Sequence, residues 1–264
     1  MKDIGVIFCC YGNPENIEPV LFPWFNLKNE LNIKIAAVQG QFLEYHNLGY
    51  KDNDFETQFK LMKFFTQKKI DHVYFQNPLG QSEFLIYQTE AQIRNKGLEW
   101  LKNQNCDIFW FLDSDEFYTE QQIKNIIEFV SSTEYCSYYI CFKNYFGDGK
   151  KYFDNFCPIR VFRNKWSGHS LGQMFYDNDF YYINNYSLQN VSYKNLPYVE
   201  IPKEIAWVKH NSWVGKENCI NKIKYHVSHF GESSYTWNAE KDCLDFNYDY
   251  YKKYNKEIPI IHED

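Results

Sequence analysis

The chain has 264 residues and a formal net charge of −6 at pH 7, which argues against a nucleic-acid coat or a membrane-surface module, since both need a basic face. With 44% hydrophobic and 23% charged residues the composition is that of a folded globular protein, and the length fits one large domain or one domain with a short appendage. Aromatics are abundant, with 23 Tyr, 23 Phe and 7 Trp making 20% of the chain; such side chains fill cores first and stack on ring-shaped ligands second.

No stretch reaches the roughly 18 apolar residues that a membrane span requires. Residues 1–16 join a lysine to a short apolar run, yet Asp3 interrupts it and no small-residue cleavage site follows, so the start reads as a strand and not as a signal peptide. The eight cysteines show no C-x-x-C spacing and lie mostly in apolar runs. They read as buried thiols of a reducing, cytoplasmic setting, with neither a zinc site nor a disulfide framework.

Residues 3–10 form a continuous apolar run that ends at Tyr11-Gly12-Asn13-Pro14, a buried strand followed by a loop. A helix is expected over 18–31, with Pro19 in its first turn and Pro23 as an irregularity, and a second strand over 33–38. Asp54 can cap a helix that lines up Phe55, Phe59, Met62 and Phe65 on one face. Short strand 72–75, long helix 82–103 and strand 107–112 follow. Thr119 and Gln122 make a capping box for a helix running to about residue 130. Strands alternating with helices imply an α/β fold, a mostly parallel sheet covered on both faces, with ligands at the carboxyl ends of the strands. Beyond residue 135 the pattern changes to strands over 138–142 and 159–162, an aromatic, polar stretch over 165–202, a helix over 216–229 and a tyrosine-rich tail. The expected organisation is one domain over 1–238, whose first half (1–134) binds one ligand and whose second half (135–238) builds the rest of the cleft, with a helical tail over 239–264.

The most informative segment is Ile108-Phe109-Trp110-Phe111-Leu112-Asp113-Ser114-Asp115-Glu116-Phe117. A hydrophobic strand delivers three carboxylates to its own carboxyl end, where crowding of like charge is costly unless a cation neutralises it. Few, hard oxygen ligands with room for water and phosphate suit Mg²⁺ or Mn²⁺.

Together with this motif, Glu90-Ala91-Gln92-Ile93-Arg94-Asn95-Lys96-Gly97-Leu98, Cys157-Pro158-Ile159-Arg160-Val161-Phe162-Arg163 with Gly168-His169, and Lys209-His210-Asn211-Ser212-Trp213 leading into Lys222-Ile223-Lys224 resemble, in order over residues 3–230, the nucleotide-sugar glycosyltransferases of the GT-A fold, close to family 2 and its D-x-D-E-F relatives. The resemblance implies a Rossmann-like, mostly parallel sheet with a mixed second half, and a metal-dependent transfer of a sugar from a nucleoside-diphosphate donor, a UDP-sugar first among them, to the hydroxyl of a glycan, glycoprotein or glycolipid, with inversion. It assigns Asp115 to the metal, Asp113 to the metal through water or to the ribose, and His210 to the metal from the second half. The nucleotide is expected over Cys10, Tyr11, Gly12, Gln39, Arg94 and Asp113, although Arg94 is equally placed to pair with Glu90 at helical spacing. His169 lies in a loop suited to the acceptor. The family's Glu-His pair is missing from Gly168-His169-Ser170-Leu171-Gly172-Gln173, which leaves Asp177 and Asp179, with Asp154 upstream, as base candidates. A metal-dependent nucleotidyltransferase and an inactive carbohydrate-binding protein are the alternatives; the loop after the first strand, with one glycine and no lysine, counts against the former.

Overall fold

An uninterrupted apolar run makes a stable strand when both faces of its sheet are covered, and β1 (Ile4–Cys10), buried at every position, meets that condition. In the computed structural model, which describes residues 2–49, 54–76, 88–166, 169–170 and 198–263, β1 pairs in parallel with β2 (Ile33–Gln39) on one side and β4 (Ile108–Asp113) on the other, and β2 pairs in parallel with β3 (His72–Phe75). Side chains alternate across the sheet. Ile4, Val6 and Phe8 pack with Trp24 of α1 (Pro14–Leu27), Leu61 of α3 (Phe55–Thr66) and Ile123 of α5 (Glu120–Ser132), while Ile7 and Cys9 pack with Ile93, Leu98 and Leu101 of α4 (Glu90–Lys102). The fold is therefore the expected α/β type, a mostly parallel sheet between helices. Short α2 (Leu43–His46) follows β2.

The sheet continues past β4 with antiparallel β9 (Ile159–Arg163), then β6 (Ser137–Tyr139) and β12 (Tyr198–Glu200), giving the order β12-β6-β9-β4-β1-β2-β3. A second sheet has the order β16-β8-β7-β13-β5. It is built from β5 (Glu116–Phe117), β7 (Cys141–Gly147), β8 (Lys151–Phe156), β13 (Trp207–Val214) and β16 (His262–Glu263). Two small hairpins, β10 (Lys165–Trp166) with β11 (His169–Ser170) and β14 (Tyr235–Asn238) with β15 (Cys243–Phe246), complete the described strands, and α6 (Lys216–Phe230) and α7 (Tyr248–Lys253) the helices. Among the described residues no helix is long and apolar enough to cross a membrane.

Several expectations are corrected. Helix α1 begins at Pro14, four residues early, because Pro14 itself takes the first helical turn, where its missing N–H is no loss, and both Pro19 and Pro23 lie inside the helix. On α3, capped by Asp54 as expected, the buried face is Thr57, Gln58, Leu61 and Phe64, while Phe55, Phe59 and Phe65 are exposed; aromatic spacing pointed to the wrong face. The expected strand 138–142 is two strands in different sheets, β6 and β7, parted at Ile140. Helix α4 starts at Glu90 with a Thr89–Gln92 capping box; the earlier residues 82–87 lie outside the described residues. In the tail the one described helix is α7, and its end supplies edge strand β16. Cys141 and Cys157 are joined by a disulfide, contrary to the reading of all eight as free. They are 16 residues apart and flank the β7–β8 hairpin, which brings their backbones together at a spacing no short motif shows. The inference of a reducing compartment loses its ground.

Gly97 is where α4 comes closest to the sheet: a Cβ there would meet Ile7 Cγ2 at 3.0 Å and Val38 Cγ1 at 3.2 Å. Gly97→Val should lower the unfolding free energy by about 1–3 kcal/mol, read from the urea midpoint; an unchanged midpoint would show that the helix can move away freely.

Candidate functional site

Strand β4 ends at Asp113, and the turn Ser114-Asp115 leads into β5, so the three acids leave the sheet at its carboxyl end. The cations that offset them belong to the protein. Arg94 of α4 donates to Asp113 Oδ1 at 2.7 Å and pairs with Glu90 at 2.5 Å; both readings of Arg94 hold at once. Arg160 of β9 donates to Asp113 Oδ2 at 3.1 Å and, through Nε, to Glu116 Oε1 at 2.7 Å. Both arginines and Glu116 are buried. Lys222 on α6 acts electrostatically on Asp115, Asp113 and Glu90, with its Nζ 5.0 Å from the Trp213 ring centroid. Burial lowers its ammonium pKa.

His210 arrives by strand register. In the second sheet it lies opposite Glu116 of β5 on one side and Asn144 of β7 on the other, and the backbone N–H of Asn211 donates to the Asp115 carbonyl at 2.9 Å. Asn144 Nδ2 donates to the Phe153 carbonyl at 3.4 Å, which turns its oxygen toward His210, where Nδ1 lies 2.6 Å from Asn144 Oδ1. An amide oxygen only accepts, so Nδ1 carries a proton, which leaves Nε2 as the nitrogen that faces Asp115 and that a metal could take. That Nε2 lies 3.3 Å from Asp115 Oδ2. Phe142 and Phe156 pack against the ring, at centroid distances of 4.8 and 6.1 Å.

Asp115, Glu116 and His210 each offer a ligand atom, all within 4.8 Å of one another. An imidazole lone pair and hard carboxylates suit Mn²⁺ or Mg²⁺, and Asn144 is the outer partner such a histidine needs. Burial raises the Asp115 carboxyl, but His210, with Lys222 and Arg160 behind it, outweighs that and holds it well below the usual carboxylate range. Asp113 differs from the expectation of a metal or ribose contact in one respect: each of its oxygens already accepts from an arginine.

On the nucleotide side the residues are less open than expected. Cys10 is buried, with its Sγ against the Val38 carbonyl at 3.9 Å. Gly12, at a positive φ of 72°, donates its N–H to Asp54 Oδ2 at 2.6 Å, and the buried Gln39 accepts from Gln58 at 3.1 Å. Tyr11 lies beside them, half-buried. Beyond β2, Gln41 is buried, and among the described residues neither of its amide atoms has a hydrogen-bond partner, nor do Nε and Nη1 of Arg94. Asp154 is paired with Lys203 at 2.6 Å. Asp177 and Asp179 lie outside the described residues, and of His169 the strand pairing alone is described. Asn144, Arg160 and Lys222 carried no assignment from sequence; a single arginine inside the apolar run 157–162 was the one available signal.

No family model matches the chain, and no curated protein matches it. Solved structures similar to it include S. aureus TarS 1–349, at 13% identity and a TM-score of 0.44 over 88% of this chain and 66% of that one. The mannosyltransferase PcManGT of Pyrobaculum calidifontis, in complex with GDP-Man and Mn²⁺, is similar at 10% identity and a TM-score of 0.47, over 88% of this chain and 65% of that one. Glucosyl-3-phosphoglycerate synthase of Mycobacterium tuberculosis, with Mn²⁺, UDP and phosphoglyceric acid, is similar at 10% identity and a TM-score of 0.44, over 93% and 86%. In shorter matches over 55% of this chain, it spans 22% of one TarS chain and 36% of TarS 1–349 bound to UDP.

Burial pushes the Glu116 carboxyl up to about 8, with Arg160 opposing and Asp113 and Asp115 adding to the rise. The folded chain then keeps a proton that the unfolded chain releases above its ordinary value of 4.5. Stability from this group is fully present below pH 4.5 and lost as the pH rises through about 8. In chelator-treated protein the unfolding free energy of wild type should therefore fall relative to Glu116→Gln between about pH 5 and pH 9, on the order of 1 kcal/mol per pH unit. Parallel profiles would refute the protonated carboxyl.

Proposed function

We propose that the chain is a metal-dependent glycosyltransferase that moves a sugar from a nucleoside-diphosphate donor, a UDP-sugar in the first instance, to the hydroxyl of a glycan, glycoprotein or glycolipid acceptor, with inversion. The observation that carries the reading is the His210–Asp115 pair: a ring nitrogen that Asn144 turns toward a carboxylate at the carboxyl end of a central strand. The order of motifs along the chain, similar to that of family 2, supports it. A divalent cation there supplies positive charge where a diphosphate must leave.

Asp115 and His210 hold the ion, and Arg94 and Arg160 fix Asp113 where the ribose or a metal-bound water is expected. The unpartnered amide of Gln41 and the free edge of Arg94 support a nucleotide near Cys10, Tyr11, Gly12 and Gln39, since buried polar groups without partners call for a ligand. In the transfer the acceptor oxygen bonds to the anomeric carbon as the bond to the phosphate oxygen breaks, and the acceptor's proton goes to a base for which Asp177 and Asp179 are proposed, with His169 toward the acceptor. The nucleotide half, the acceptor half and the tail from residue 239 are the proposed division of labour.

Incubation with a panel of nucleotide sugars and Mn²⁺ should release a nucleoside diphosphate, and chelator should stop it. Released sugar 1-phosphate would identify a nucleotidyltransferase, and sugar binding without any release a carbohydrate-binding protein. His210→Ala should weaken Mn²⁺ binding by tenfold or more and Asn144→Ala by about tenfold, because the outer partner sets the tautomer. For wild type the affinity should fall on acidification and be restored by added metal, as protons compete for Nε2. Unchanged Mn²⁺ titrations in both variants would remove His210 from the site.

A further inference from the structure

Each carboxylate at this site already has a direct partner: Glu90 and Asp113 have Arg94, Asp113 and Glu116 have Arg160, and Asp115 has His210. Lys222 is the exception among the cations. It interacts electrostatically with Asp115, Asp113 and Glu90, yet among the described residues it closes an ion pair or hydrogen bond with none of them. Its ammonium lies over the ring of Trp213, Nζ 5.0 Å from the centroid, a buried ring at the end of β13, and Cys219, one turn earlier on α6, is fully buried, so the second half of the chain positions an ammonium that acts on acids of the first. An aromatic face attracts an ammonium but takes no N–H···O bond from it, so an anion or water must still complete its donors.

Resting on the transferase reading above, we propose that Lys222 is a catalytic residue that donates to the terminal phosphate of the donor and stabilises the departing diphosphate. When the bond from the anomeric carbon to the phosphate oxygen breaks, its electron pair stays on that oxygen. An ammonium donor at the phosphate favours that charge, while the acceptor oxygen forms the new bond and gives up its proton to the base.

The test uses Lys222→Met, which keeps an unbranched side chain without the charge, and Lys222→Arg, which keeps the charge. Calorimetry with Mn²⁺ compares the nucleoside diphosphate with the matching nucleoside, and paramagnetic resonance follows Mn²⁺ alone. Lys222→Met should lose about tenfold or more in diphosphate affinity and keep that for the nucleoside, and it should bind Mn²⁺ alone as tightly as wild type or more tightly, because a like charge beside Asp115 is gone. Lys222→Arg should retain most of the diphosphate affinity. If diphosphate, nucleoside and Mn²⁺ affinities fall together, Lys222 is a structural prop and the proposal is wrong; if none falls, it is equally wrong. Should Lys222→Met lower the melting midpoint, Lys222→Gln is judged by the same diphosphate-to-nucleoside ratio. A wild type that binds no nucleoside diphosphate overturns the transferase reading itself, and this proposal with it.

Discussion

Charge balance at the carboxyl end of β4 is the constraint on which the rest of the site depends. Glu90, Asp113, Asp115 and Glu116 converge there on Arg94, Arg160 and Lys222, four acids on three fixed cations. Glu116, with no exposure at all, takes up the difference as a proton, which is the physical meaning of a carboxyl raised by burial beside an arginine. Such a network is weak evidence for net stability but strong evidence for geometry, because removing one member strands a buried charge. It joins α4, β4, β5 and β9, elements drawn from both halves of the chain.

The same segment links the two sheets. Asp113 ends a strand of the large sheet, and three residues later Glu116 opens the edge strand of the second, where its register with β13 sets His210 opposite it and Asn144 beyond. The histidine is thus delivered by backbone pairing, and its tautomer by a cross-strand neighbour. The aromatic excess serves this frame. Trp24, Trp110 and Tyr118 make edge contacts beneath β4, and Phe153, Trp213, Tyr235 and Phe246 form a separate core under α6. Most of the aromatics the structure describes are packing, as composition alone suggested.

What was legible in the sequence was local. Strands buried on both faces write continuous apolar runs, so β1, β2 and β4 were visible within a residue or two, and the side-chain caps at Asp54 and Thr119 marked two helix starts. The acid motif was visible because a strand that ends in three carboxylates is unusual. Pairing across long separations was not legible. Ile140 divides two sheets without any break in hydrophobicity, the Cys141–Cys157 link depends on a hairpin, and Asn144 is an ordinary polar residue until the register of β7 with β13 is known. On α3 the aromatic spacing misled because Thr57 and Gln58 face the core in place of larger residues. At the positions expected to face a nucleotide, Gln39 and Gly12 are committed to Gln58 and Asp54, and the buried amide without a partner among the described residues belongs to Gln41, two residues beyond Gln39.

Three donors lie close enough to share an ion, but they are not equivalent. Glu116 is fully buried, tied to Arg160, and can receive a further hydrogen bond from Tyr118 at 3.4 Å; drawing it onto a metal means giving up partners it cannot replace from water. His210 keeps its Asn144 bond in any case, since its other nitrogen is the one that faces Asp115. Asp115 keeps 26% of its side chain exposed, so it is the donor through which solvent, and a substrate, can reach the pair. Of the three, Asp115 and His210 are therefore the pair free to take an ion, while Glu116 is committed to its buried partners. Lys222, which acts on Asp115 electrostatically without closing an ion pair to it, leaves positive charge available near that part-exposed carboxylate.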